Sequence, residues 1–587
     1  MPAFSPRLSL AVLAAAVLAA CGSPPVVAPT AAPAAPPVAG PGAGPGPLRA
    51  AQPGPLLACA ELKDRFAFAG TVLDAAAPVA AGTIRQGADP VPAHCLVTGS
   101  MHRRTGSDGR EYAIGFEMRL PQAWNGRFYY QGNGGLDGNI QPALGALGGG
   151  PLTGALMQGF AVISSNAGHT AAQTPVFGLE PQARLDYGYK AVMKLTPMAK
   201  ALVAAAYGRP PDRSYIGGCS NGGRHAMVAA ARIGEQYDGY LVGAPGYRLP
   251  YAALAQLWGA QQWSRIATAG ATTRHPMNPN ATIPDLGTGF TAQERQAVAR
   301  AILQRCDPLD GARDGMVQDV QACQAAFDVR RDVPGCAGSR DGQCLTPDQK
   351  NVVAAVFSGA RAPGGGALYS PFPYDPGVAG NNWATWKFAN ALVLDPTAVG
   401  TVFTAPPAPV DTRSADIAFL LRKVNAVDGP YRESGAELMQ PPGQQDPTNL
   451  APLAQRGAKM VVYHGVSDPV FSAEDTRQWY ERLDRAMGGR GAQFARYFPV
   501  PGMNHCSAGP AADQFDLLAP LVRWVEQGVA PQGVTAAARG ASNPGGVNAE
   551  LPADWSARRT RPLCAYPTVA RYDGRGPLDD AASFSCR

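Results

Sequence analysis

The chain is poor in charge. Only 16% of its 587 residues are Asp, Glu, Lys or Arg, against about 25% in an average globular chain. What charge there is nearly cancels, with 50 Lys and Arg against 44 Asp and Glu. No run of lysine or arginine occurs, which argues against a nucleic-acid footprint. The residual net charge of +6 reads as a solvated surface, screened by salt. No CxxC pair occurs, so a structural zinc site of the usual ligand spacing is not expected, and no organic cofactor is implied. There is no internal repeat, and past the first twenty residues no segment is long and apolar enough to span a bilayer. Hydrophobic residues, by contrast, reach 46%, enough for a large core, and 69 glycines with 56 prolines imply long ordered loops.

The amino terminus carries a targeting pattern. Arg7 supplies a positive start, and Leu8–Ala20 is an apolar run too short for a stable transmembrane helix. It ends in Leu18-Ala19-Ala20-Cys21-Gly22, which resembles a bacterial lipobox. On that reading residues 1–20 are a signal peptide and Cys21 is lipidated, the sole link to a membrane. The protein is then exported as an outer-membrane lipoprotein facing the periplasm or the exterior. The alternative is an ordinary cleavage site with an incidental cysteine. Residues 22–54 are Pro, Ala, Gly and Val with almost no charge, so 21–54 reads as a lipidated cysteine and flexible tether. Removing Cys21 from the eleven cysteines leaves ten, an even number that suits disulfides in an exported chain. Three spacings are local: Cys306 with Cys323, Cys336 with Cys344, and Cys564 with Cys586.

Beyond the tether, strands alternate with helical patterns. Arg127–Gln131, Phe160–Ser165, Ser214–Gly217 and Tyr240–Pro245 read as strands, separated by helical stretches such as 183–206. This rhythm argues for a mostly parallel sheet covered by helices. It stops over 250–450, which is loop-rich and reads as an inserted lid domain, and resumes at Lys459–Tyr463 and Ala495–Val500. The expected fold is α/β, an α/β-hydrolase core of residues 55–249 and 451–587 with a large inserted lid.

Gly218-Cys219-Ser220-Asn221-Gly222 fits the nucleophile elbow, in which a sharp strand-to-helix turn lifts a serine above the sheet and flanking glycines avoid clashes. A serine needs a base, and the base an orienting acid. In this class they follow in the order Ser, Asp or Glu, His. His505, in Pro501–Cys506 just past a strand, is the expected base. Asp468, in His464-Gly465-Val466-Ser467-Asp468, is the expected acid, with Asp475 as the alternative. His464 reads as a pocket wall or a hydrogen-bonded residue, and His225 as structural. The oxyanion of acyl transfer needs two N–H donors. Asn221 supplies one, and the loop Gly132-Asn133-Gly134-Gly135 the other, through Gly135 first and Gly134 second. Cys219 and Cys506 flank serine and histidine. A disulfide between them would tie nucleophile to base; two buried free thiols are the alternative. A non-catalytic, lipid-anchored binding protein on a degenerate scaffold would require a missing triad member or a blocked glycine loop.

A second constellation lies at Cys306–Met316. Asp307, Asp310 and Asp314 can give carboxylates and Ala312 and Met316 carbonyls, the oxygen donors that a calcium ion prefers. The spacing is not that of an EF-hand, and a solvated acidic turn is the alternative. Such an ion is structural, since no catalytic residue adjoins it.

Taken together, the Cys-Ser and His-Cys pairs, the Asp before the histidine and the DxxDGxxDG loop resemble the tannase and feruloyl esterase family over nearly the whole chain past the tether. Further segments carrying the likeness are Trp124–Phe128, Gly243–Tyr247, Cys306–Gly315, Val500–Cys506 and Thr560–Cys564. Within the family the likeness is greatest to the branch that hydrolyses mono(2-hydroxyethyl) terephthalate. The resemblance implies a Ser–His–Asp triad, a lid calcium, five disulfides (Cys59–Cys95, Cys219–Cys506 and the three local pairs) and a small aromatic ester as substrate. Terephthalate monoesters lead, with feruloyl or galloyl esters as the alternative. Phe471 matches an aromatic wall of the acyl pocket, with Leu249, His464, Trp383 and Trp386 as further pocket residues. Two departures stand out. Asn221 occupies the position where the terephthalate branch carries glutamate, and 381–412 contains no arginine for a free substrate carboxylate, leaving Lys387 as its basic residue.

Overall fold

The computed structural model describes residues 46–146, 154–362, 364–441, 450–541, 543 and 545–587; the expected signal peptide and Cys21 lie outside them. Nine strands form the main sheet: β1 (Thr71–Val79), β2 (His94–Thr105), β3 (Glu111–Pro121), β4 (Arg127–Gly132), β5 (Ala161–Ser165), β6 (Arg213–Cys219), β7 (Gly239–Gly243), β8 (Lys459–Gly465) and β9 (Ala495–Val500). Their order is β9-β8-β7-β6-β4-β5-β3-β2-β1. The six strands from β9 to β5 pair in parallel, and β3, β2 and β1 continue the sheet antiparallel. Burial follows this division. Strands β7 and β8 are buried at every position, as strands covered on both faces are. The edge strand β1 is mostly open to solvent.

Helix α1 (Ala191–Tyr207) ends at Gly208, whose left-handed backbone (φ 75°) closes the last turn. It precedes β6, and α2 (Asn221–Arg232) leaves β6 directly. Strands β7 and β8 are hydrogen-bonded neighbours, in register from Gly239↔Lys459 to Gly243↔Tyr463, although residues 244–458 intervene. Among the described residues that insertion adds no strand to the sheet. It contributes helices α3 (Leu249–Ser264), α4 (Ala292–Cys306) and α5 (Pro347–Phe357) and a hairpin of Thr272–His275 with Asn278–Pro284.

The insertion expected as a lid over 250–450 packs helix on helix, with α3 lying against α5 and other helices of the insertion. The described residues from Gly46 onward make one compact unit. Trp263, Phe290, Val353, Trp383 and Phe403 of the insertion belong to the same apolar core as Ile216, Val242 and Val462 of the sheet. Trp263 stacks on Phe290 at 5.6 Å and meets Trp383 edge-on at 6.3 Å. These rings bury much of their surface against one another within the insertion. The tether also ends earlier than expected. The Leu48 amide donates to Val525, that of Ala51 to Glu526, and Gly54–Pro55 pairs with Ala123–Trp124. Five disulfides join Cys59–Cys95, Cys219–Cys506, Cys306–Cys323, Cys336–Cys344 and Cys564–Cys586, the set that the resemblance implies.

Candidate active site

Strand β6 runs into α2 through Ser220, whose backbone (φ 64°, ψ −127°) is strained for a residue with a side chain. The turn closes onto the end of β4: a Cβ on Gly218 would stand 2.4 Å from the Gly132 carbonyl oxygen, and one on Gly222 2.2 Å from it. Only glycine permits that approach, and the approach sets the serine above the carboxyl ends of the parallel strands. The loop after β8 brings in Asp468 and the loop after β9 brings in His505. His505 Nε2 lies 2.8 Å from Ser220 Oγ, and its Nδ1 lies 2.7 Å from Asp468 Oδ2. The three residues expected as nucleophile, base and acid are thus joined by two hydrogen bonds.

Asp468 is fully enclosed, and its donors hold it charged. The amides of Val470 and Phe471 donate to Oδ1 at 2.7 and 3.0 Å, while His505 and His464 face Oδ2 at 2.7 and 3.3 Å. Burial pushes the carboxyl upward, but His505 and His464 outweigh it and keep the group well below the usual carboxylate range. Asp475, the alternative acid, is taken up by Arg248 and Ser370.

The structure redistributes the expected pocket residues. Phe471 and Trp386 flank the histidine, their ring centroids 5.4 and 5.3 Å from that of His505, both edge-on. Trp386 sits in a π-helical turn, Thr385–Asn390, an irregularity that recurs at functional sites. His464 does not line the pocket. It is buried behind Asp468, with Nδ1 at 2.9 Å from Thr476 Oγ1 and Nε2 at 3.0 Å from the Phe471 carbonyl. Trp383 is likewise a core residue, packed among Trp263, Phe290, Phe357 and Phe388. Leu249 opens α3 and packs half-buried on the main core. Lys387 is buried beneath the acid loop, its ammonium 3.5 Å from the centroid of Phe372 and 3.3 Å from Gln256 Oε1. Gln256 in turn donates to the carbonyls of Pro469 and Val470.

In the glycine loop, a Cβ built on Gly134 would touch Ser220 Cβ at 3.9 Å, whereas Gly135 (φ 63°) has open space at that position. Asn221 opens α2, so its amide is one of the donors a helix leaves unpaired at its start.

The acidic loop is buried. Asp307 Oδ1 and Oδ2 accept the amides of Asp314 and Gly315, both at 3.1 Å, and Asp310 Oδ1 accepts that of Ala312 at 2.9 Å. Asp310 Oδ2 is buried with no partner among the described residues. Burial, then Asp314 and Asp307, push the Asp310 carboxyl up to about 7. A cation would satisfy such a group. Asp314, however, is paired with the enclosed Arg561, and among the described residues no three His, Cys, Asp or Glu side chains converge as a metal site. The fit is to Asp310 and the loop carbonyls rather than to a ready-made three-carboxylate cage.

Sequence reasoning missed three polar side chains that hold the triad loops. Asp375 accepts from Ser467 Oγ and from the Gly502 amide. Glu550 accepts from the amides of Asn381, Asn382 and Gly509 and from Asn504 Nδ2. Gln256 is the third. Their partners lie far along the chain, so no local signal marks them.

A serine relayed through histidine to a carboxylate, on a mixed sheet of this order, defines a serine hydrolase with an α/β-hydrolase-like fold. A family model described as tannase and feruloyl esterase matches residues 95–587, and the chain belongs to that family. It is 37% identical over 573 residues to the mono(2-hydroxyethyl) terephthalate hydrolase of Piscinibacter sakaiensis, spanning 90% of this chain and 91% of that protein. It is 28% identical over 505 residues to a probable feruloyl esterase B of Emericella nidulans, spanning 81% and 83%. The crystal structure of feruloyl esterase B from Aspergillus oryzae shares the fold, with a TM-score of 0.70 at 24% identity over 90% of this chain and 99% of that one.

Proposed function

We propose that this esterase cleaves small aromatic-acid esters through an acyl-serine intermediate, with mono(2-hydroxyethyl) terephthalate as the leading substrate. The observation that carries the chemistry is the 2.8 Å contact between His505 Nε2 and Ser220 Oγ. Ser220 Oγ attacks the ester carbonyl while His505 takes its proton, and Asp468 holds the imidazole in the required tautomer and stabilises its cation. The amides of Asn221 and of the glycine loop bind the tetrahedral oxyanion. His505 then protonates the departing alcohol, and a water activated by His505 releases the acid. Trp386 and Phe471 are the aromatic walls for the acyl group. The terephthalate reading is supported by the 37% identity to an enzyme of that name. A specific observation favours the phenolic alternative, ferulate or gallate: Lys387, the one basic residue of 381–412, is committed to Phe372 and Gln256. The deciding experiment compares kcat/KM on mono(2-hydroxyethyl) terephthalate, methyl ferulate and methyl gallate. Preference for the phenolic esters sinks the terephthalate reading. Ser220→Ala lowers kcat/KM by at least about 10⁴-fold on every ester with an unchanged Tm; retained turnover rejects Ser220.

We also propose that the Asp307–Met316 loop holds a structural calcium ion, with Asp310 and the carbonyls of Ala312 and Met316 as its donors and Asp307 and Asp314 joining them once the ion displaces Arg561 from Asp314. The orphaned Asp310 oxygen supports it. Calcium raises Tm in this reading and a chelator lowers it; a Tm indifferent to both refutes the site. The protein is proposed to be exported and anchored through a lipid at Cys21. The five disulfides support export, and the mass of the mature amino-terminal peptide tests the anchor.

A further inference from the structure

The glycine loop beside the serine is exposed at Gly134 and Gly135, and a Cβ on Gly135 would meet nothing within 4 Å. A loop of this kind has wide conformational freedom, yet an oxyanion donor must be fixed to within tenths of an ångström. On the side past the glycines its anchor is a closed ring of polar groups. Asp137, two residues past the glycines, adopts a left-handed backbone (φ 44°) and buries its carboxylate, 3% exposed. That carboxylate accepts from the side-chain amide of Asn221 and lies 3.3 Å from His225 Nε2. The other end of the Asn221 amide accepts from Arg224 Nε at 2.6 Å. Arg224 donates onward to the carbonyls of Gly188 and Tyr187 at 2.7 and 3.0 Å, both in a π-helical turn. The Tyr187 hydroxyl returns to the Gly135 carbonyl at 3.2 Å. The carboxyl-terminal side of the loop is thereby tied to the first turn of α2, while Asn133 Nδ2 holds its other side to Ser164 Oγ and the Ser165 carbonyl at 3.0 and 2.8 Å. The ring needs an amide at 221, with its donor toward a carboxylate and its acceptor toward a guanidinium; a carboxylate there would face Asp137 with no hydrogen to give.

We propose that Asp137 is a positioning residue for the oxyanion site, and that Asn221 serves through its side chain as well as its backbone. Asn221 Nδ2 clasps Asp137 and so sets the glycine-loop amide against the amide of Asn221. The inference rests on the reading of Ser220 as nucleophile.

The test measures kcat, KM and Tm on methyl ferulate, together with the Ki of an aryl boronic acid, which forms a tetrahedral adduct on the serine. Five full-length variants are compared: Asp137→Ala, Asn221→Asp, Asp137→Asn, the double Asp137→Asn with Asn221→Asp, and Ser220→Ala. Asp137→Ala and Asn221→Asp each lower kcat about 10- to 100-fold, part of the cost of losing an oxyanion donor, with KM within about threefold. Their boronate Ki rises in step with the loss in kcat/KM. Asp137→Asn keeps an acceptor for Asn221 and loses little. The double variant restores the clasp with donor and acceptor exchanged and recovers most of what Asn221→Asp loses. Full activity in Asp137→Ala and Asn221→Asp alongside an inactive Ser220→Ala overturns the inference alone. A double variant no better than Asn221→Asp, at wild-type Tm, overturns it too. An active Ser220→Ala rejects the underlying reading instead.

Discussion

At the scale of the residue, Lys387 carries a cost that pH exposes. It is 4% exposed, and burial pushes its ammonium down to about 7 against the opposing pull of Asp468 and Asp395. An unfolded lysine keeps its proton to about 10.4. Between those values the unfolded chain binds the extra proton, so this group makes stability rise with pH. Below pH 7 the lysine is charged in both states and the full burial cost applies. Asp395, pushed up to about 8 by burial, is protonated there, and Asp468 keeps the amides of Val470 and Phe471 and its two histidines as partners, so removing the lysine strands no charge. Lys387→Met is therefore more stable than the parent at pH 6, by about 1–4 kcal/mol, and the gain shrinks toward pH 10. Urea unfolding at the two pH values measures it, and a variant less stable at pH 6 contradicts the argument. Nothing in the sequence announces this. Ser220, Asp468 and His505 were legible because each stands in a loop whose strand, turn and glycine spacing restrict where the side chain can go. Lys387 and His464 stand on segments whose facing is decided by tertiary packing, and both turned inward, away from the pocket expected for His464.

At the scale of the element, the turn Pro376–Ala379 is wedged between the two loops that carry acid and base. Asp375 caps it at 3.0 Å through the Gly377 amide, and the same carboxylate takes Ser467 of the acid loop and the Gly502 amide of the histidine loop, the latter at 3.2 Å. Asp375→Ala leaves those donors buried without an acceptor, a loss of about 1–3 kcal/mol, and frees Asp468 and His505 to drift apart. Because a small misplacement of reacting groups is costly, kcat falls at least about tenfold, while KM changes less. Asp375→Asn, which keeps one acceptor oxygen, falls between. Full kcat in Asp375→Ala would show that the loops hold themselves. The capping role of an Asp before Pro-Gly is readable locally. Its bridging role is not, because the sequence gives no register between an inserted turn and loops about a hundred residues away. The same gap explains the lid. Strand and helix rhythm located the insertion, but could not tell that Trp263, Phe290 and Trp383 pack against one another inside it.

At the scale of the whole molecule, the chain must leave the sheet after Gly243, build the insertion and return to the neighbouring strand at Lys459. Cys219–Cys506 spans that excursion, with a sequence separation of 287, and its two cysteines adjoin Ser220 and His505. Closing so long a loop in the unfolded chain is worth roughly 5.7 kcal/mol on the chain-entropy account, against roughly 2.5 for a loop the size of Cys336–Cys344, whose separation is 8. The two bonds should therefore differ in kind as well as size. Replacing both members of Cys219–Cys506 by serine costs about 3–5 kcal/mol and lowers kcat, because the serine and the histidine that it staples sit on segments joined only through the folded core. Replacing Cys336 and Cys344 costs about half as much and leaves kcat intact. Paired urea titrations with kcat on one ester separate the cases. Equal stability losses, or an undiminished kcat in the Cys219 and Cys506 variant, would mean that packing of the insertion against the sheet already fixes nucleophile to base, with the covalent bond adding nothing to their alignment.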